Sequence, residues 1–107
     1  MRKGKRERLE RAGWAVGDAA DFLKLTPAEA TYLELRFQLG DSLRERRLAR
    51  RLSQTEVAGL LGSSQSRVAK MEAGDPSVSL DLLIKALLEL GASRRELARA
   101  ISHQSAA

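Results

Sequence analysis

The chain has 107 residues, 43% of them apolar and 4% aromatic, which is enough for one domain of ordinary size plus a tail. With eight Gly and two Pro, and with Leu and Ala dominating the apolar set, the composition favours an all-α fold over sheets. The absence of cysteine excludes disulfides, thiolate zinc sites and cysteine nucleophiles. No apolar run approaches the roughly 18 residues of a membrane span and no signal peptide is evident, so a cytoplasmic location without membrane partners is expected by default.

The formal charge of +5 is uneven: residues 1–11 carry six Lys/Arg against two Glu, and residues 42–52 carry five Arg against one Glu. Such clusters attract phosphate backbones, and equally acidic proteins or anionic membranes. Residues 1–12 are almost continuous charge and read as a flexible basic arm. A helical extension is expected over 13–39. It opens with the apolar knot around Trp14, followed by two helical turns bearing Phe22 and Leu23 that dock on the main body. Thr26-Pro27-Ala28-Glu29 combines a capping hydroxyl, a proline at the first helical position and a glutamate three residues after the cap, so a helix starts at Pro27. Its apolar positions recur at helical spacing towards Arg51, interrupted only by Gly40, which is either a break or a weak point.

Ser53-Gln54-Thr55-Glu56 is a second capping box, opening a short helix with Val57, Leu60 and Leu61 as its buried stripe and Gly62 at its end. The next helix, about residues 64–72, turns Val68 and Met71 inward and Gln65, Ser66, Ala69 and Lys70 outward, and is stopped by Gly74 and Pro76. Ser79 caps a strongly apolar segment through Leu90, with Leu80, Leu83, Ile84, Leu87 and Leu88 wrapping more than half its circumference, the pattern of a central core helix. Ser93-Arg94-Arg95-Glu96 is a third capping box, after which the chain frays beyond Ser102.

Across Leu52-Ser53-Gln54, Glu56-Val57-Ala58, Leu61-Gly62, Ser64, Val68 and Met71-Glu72 to Gly74, the spacing is that of a helix-turn-helix, with small Ala58 where two helices meet and Gly62 at the turn. This stretch resembles the Xre family of phage-repressor-like regulators. The resemblance implies a five-helix repressor-like DNA-binding domain over 40–102, preceded by the extension. It also implies double-stranded DNA as partner, and base contacts at the positions of Gln65, Ser66 and Lys70. Gln54 matches the family's phosphate-clamping glutamine, and Ser64 and Arg67 complete the polar first turn of the recognition helix. Arg47 and Glu72 match a pair that forms an internal salt bridge. Ser63 departs from the apolar residue usual after the turn glycine, which predicts a looser turn.

One recognition helix contacts few base pairs, so a homodimer is expected. Residues 13–29 resemble the N-terminal extension of HigA-type antitoxins, which gives an alternative function: neutralising a RelE-like toxin and autoregulating an operon. An RNA-binding adaptor is a third reading. Catalysis is not expected, because the sole histidine, His103, lies in the fraying tail and no phosphate loop or metal-spaced cluster occurs. No cofactor or metal is implied.

Overall fold

Each helix begins where the sequence offers a side-chain oxygen to the orphan amides of a first turn. Thr26, Ser53, Ser64, Ser79 and Ser93 each accept from the backbone N–H three residues on, at 3.0–3.1 Å. At Thr26, Ser53 and Ser93 the glutamate three residues on accepts back from the cap's own N–H at 2.8–2.9 Å, closing all three capping boxes. In the computed structural model, which describes residues 24–102, the helices are α1 (Pro27–Ala49), α2 (Gln54–Leu61), α3 (Gln65–Ala73), α4 (Leu80–Glu89) and α5 (Arg94–Ser102), with no strand among the described residues. The architecture is all-α, as the composition indicates. The basic arm, Trp14, Phe22, Leu23 and His103 lie outside the described residues.

Gly40 does not break α1, which runs unbroken for 23 residues, about 34 Å. The glycine is a crossing point: a Cβ there would stand 2.7 Å from the carbonyl oxygens of both Met71 and Glu72, so α1 lies directly on the backbone of α3. α1, rather than the apolar α4, is the spine of the fold, packing on α3, α4 and α5. The core gathers Leu39 and Leu43 of α1, Val57 and Ala58 of α2, Val68 and Met71 of α3, and Leu83, Ala86 and Leu87 of α4, with Val78, Leu90 and Ala92 between elements. Each large aliphatic buried there contributes roughly 1.5–3 kcal/mol.

Two of the expected core leucines are outside. Leu60 is 62% and Leu88 46% exposed. At 100° per residue Leu60 lies roughly 110° from the centre of the arc set by Val57, Ala58 and Leu61, and Leu88 roughly 150° from that of Leu83, Ala86 and Leu87, so neither side chain can turn inward.

Charges also hold the helices together. Arg36, buried in α1, donates to the carbonyls of Val78 and, at 3.2 Å, Asp75, tying down the α3–α4 connection; its guanidinium lies 5.0 Å from the Tyr32 ring. Arg46 meets Glu96 at 2.8 Å, joining α1 to α5. The Ser93 backbone N–H, and then Arg46, hold the Glu96 carboxyl below the usual carboxylate range. A carboxyl whose folded pKa is depressed contributes stability above its unfolded pKa and loses it as pH falls through the folded value. The attachment of α5 should therefore weaken as pH falls through and below the usual carboxylate range, and Glu96→Gln should flatten that acid limb of a stability-versus-pH curve.

Candidate nucleic-acid interface

The α2–turn–α3 unit is set by two local requirements. α2 must end sharply, and Gly62 does this at φ +63°, a left-handed conformation that glycine adopts without strain, while Ser63 N–H donates to Ala58 O at 2.8 Å in a Schellman closure. α3 must then restart at an angle, with Ser64 as its N-cap; the recognition helix therefore runs Gln65–Ala73, one residue later than the sequence pattern placed it at both ends. Gly74 closes α3 in the same way at φ +69°, with Asp75 N–H donating to Lys70 O at 3.0 Å. A Cβ on Gly74 would also sit 2.7 Å from the Phe37 ring, so this glycine is needed for space as well as for conformation.

The inner face of α3 is Val68, Met71 and Glu72, all buried; Gln65, Ser66, Arg67 and Lys70 are exposed. Gln54, from the first turn of α2, is brought alongside: its Oε1 accepts from Gln65 Nε2 at 2.6 Å. A shallow groove is lined on one side by Ser64, Ser66, Arg67 and Lys70 and on the other by Ser77, Val78, Ser79 and Leu82. Of the six site residues read from the sequence, five thus line one groove or neighbour it on α3, and Gln54 joins them through Gln65. Ser77, which gave no signal in the sequence, and Ser79, read there only as a helix cap, bring hydroxyls and the N-terminus of α4 to the same surface, and no carboxylate lines the groove.

On the buried face of α3 lies the Arg47–Glu72 pair. Glu72, 2% exposed, accepts at Oε2 from Arg47 Nε at 2.6 Å and at Oε1 from Arg47 Nη2 at 3.1 Å. Arg47 also donates through Nη1 to Leu52 O at 2.9 Å. One bidentate pair therefore fastens α1, the α1–α2 connection and α3, as the family resemblance led one to expect.

The turn contains one anomaly. Ser63 Oγ is shut away from solvent without a hydrogen-bond partner, where the resembling proteins carry an apolar side chain. A buried hydroxyl without a partner costs about 1 kcal/mol or more, so Ser63→Ala should raise stability by about 1 kcal/mol in urea unfolding. A loss of stability would show that the hydroxyl has a partner after all.

Among the described residues no cluster of His, Asp or Glu is arranged to hold a metal, and no helix is long and apolar enough to cross a membrane. A family model described as helix-turn-helix matches residues 43–97, just over half of the chain. No curated protein and no solved structure matches it. The match begins inside α1, takes in α2, the Gly62 turn and α3, and ends inside α5; the chain belongs to this Xre-like helix-turn-helix family of DNA-binding regulators.

Proposed function

We propose that the protein is a sequence-specific transcriptional regulator that lays α3 in the major groove of duplex DNA. The observation that carries this reading is the row Gln65, Ser66, Arg67 and Lys70, exposed on a helix whose opposite face is buried core and whose angle is fixed by the Arg47–Glu72 pair. At nine residues α3 is about 13 Å long, and the major groove, about 12 Å wide, admits such a helix. Gln65 reads adenine N6/N7, Ser66 and Lys70 reach neighbouring base edges, and Lys70 suits guanine O6/N7. Gln54, Ser64 and Arg67 hold phosphates, with Ser77 and Ser79 adding hydroxyls on the flank of the groove. The basic arm over residues 1–12 and the 13–39 extension precede the DNA-binding unit of 40–102, the extension running into it without a break through α1, whose Leu39 is part of the shared core, and the arm adds phosphate contacts without sequence preference.

Selection from a randomised duplex pool tests the assignment. Gln65→Ala should cost about 1–3 kcal/mol at one base position and relax the preference there, whereas removing Met1–Arg11 should weaken all sequences alike and flatten the salt dependence. Equal loss of affinity for every sequence with Gln65→Ala would overturn the role of Gln65. Selected sites should be two-fold repeats about one helical turn apart, because a homodimer doubles the short site of one α3. The antitoxin function rests on residues 13–29, most of which lie outside the described residues, and therefore on sequence resemblance alone; co-purification with the product of a neighbouring gene tests it.

A further inference from the structure

The readout glutamine is the end of a chain of side-chain hydrogen bonds that starts in the core. Arg47 Nε and Nη2 donate to Glu72, Gln54 Nε2 donates to Glu72 Oε1 at 3.1 Å, and Gln65 Nε2 donates to Gln54 Oε1 at 2.6 Å. We propose that Glu72 is a specificity-positioning residue: its carboxylate sets which way the amide of Gln54 points, and through it which way that of Gln65 points, committing Gln65 to adenine over guanine. The inference rests on the reading of Gln65 as a base-contacting residue.

The argument follows from donor and acceptor inventories and does not depend on how either amide is labelled. An ionised carboxylate paired with Arg47 only accepts, so Gln54 must turn its NH2 towards it; the reverse orientation would set oxygen against oxygen beside a buried charge. Gln54 Oε1 then faces Gln65, and the same rule forces Gln65 to offer its NH2. What Gln65 has left is one N–H and its carbonyl oxygen. Adenine presents an acceptor at N7 and a donor at N6, which match that pair; guanine presents acceptors at both N7 and O6, and its O6 would meet the Gln65 carbonyl. With the polarity reversed, Gln65 would accept from Gln54 and carry two free N–H groups, the complement of guanine. A residue that never touches DNA thereby selects between the two purines. The second N–H of Gln54 stays free, so the relay is compatible with Gln54 also holding a phosphate.

Glu72→Gln supplies an amide of the same shape that can show either face to Gln54 and so releases the polarity of the chain. Because it leaves Arg47 without its counter-charge, Arg47→Met/Glu72→Gln is made alongside, removing the cation as well. Each full-length variant, checked for folding by circular dichroism, is put through selection from a randomised duplex pool together with wild type and Gln65→Ala. In wild type, adenine should exceed guanine by about tenfold or more at the position that Gln65→Ala relaxes, and in the folded Glu72 variants that ratio should fall within about threefold, whatever common loss of affinity all sequences share. A purely structural role for Glu72 would lower affinity for all sequences together and leave the ratio alone. Folded Glu72 variants that keep the wild-type adenine preference overturn the relay while the reading of Gln65 stands. If Gln65→Ala leaves every base preference intact, the reading of Gln65 fails, and the specificity role of Glu72 with it.

Discussion

Gly40→Ala should destabilise the fold by about 1–2 kcal/mol net, while the same substitution at Gly59 should stabilise it by up to about 1 kcal/mol, although both glycines lie within helices. On helix propensity alone each would gain, since alanine exceeds glycine by about 1 kcal/mol in a helix interior. The difference is what a new Cβ meets. At Gly59 it meets nothing within 4 Å, whereas at Gly40 it falls 2.7 Å from two carbonyl oxygens of α3, which are backbone and cannot rotate away. Overpacking of this kind costs about 1–3 kcal/mol or more, because the helices must separate and the core layer of Leu39, Leu43, Val68 and Met71 loosens with them. DNA binding should fall as well, since the carbonyls displaced belong to Met71 and Glu72 of the recognition helix itself. Urea unfolding of the two variants decides the matter, and a Gly40→Ala protein as stable as wild type would mean that α1 and α3 do not cross this closely.

What the sequence disclosed was mostly what local chemistry controls. Ser53 with Glu56, Ser93 with Glu96 and Thr26 with Glu29 are capping boxes because the partners are three residues apart, and that spacing is visible in one dimension. Val57, Ala58, Val68 and Met71 were readable as an inner face for the same reason, and Arg47 with Glu72 through the family pattern. Gly40 was noticed only as an interruption, because its purpose depends on which helix crosses it, 31–32 residues further along the chain. Arg36 gave no signal at all: an arginine among helical charges looks solvated, and its acceptors are backbone carbonyls 39 and 42 residues away, which no side-chain pattern announces. Leu60 and Leu88 misled in the opposite direction, since a run of adjacent leucines hides which of them faces the core. At the candidate interface the residue types were legible and their connection was not: Gln54 and Gln65 were each singled out, but the bond between them requires the turn at Gly62 to fold α3 back against the start of α2.

Glu72→Ala should cost about 3–5 kcal/mol, the largest loss of any single substitution considered, because it strands a buried guanidinium. Arg47 is 8% exposed, and of its three donor contacts only that to Leu52 O would remain, leaving Nε and Nη2 with neither carboxylate nor water. Two charges taken out of water together lose solvation that their attraction and bidentate bonding roughly offset; removing one partner keeps the desolvation of the other with nothing against it. The pair replaced as a whole behaves differently. Arg47→Met/Glu72→Met puts apolar groups of similar length in the same space and should recover most of the stability, giving a coupling of several kcal/mol in a double-mutant cycle, far beyond the roughly 0.5 kcal/mol typical of independent sites. Since small domains hold only about 5–15 kcal/mol in total, the Glu72→Ala protein should sit close to its unfolding transition at 37 °C. Thermal unfolding of the two single variants and the double supplies the cycle. A Glu72→Ala midpoint within about 2 °C of wild type, where 3 kcal/mol corresponds to more than 10 °C in a domain of this size, would show that Arg47 escapes to solvent and that the pair is not the clasp joining α1 to the recognition helix.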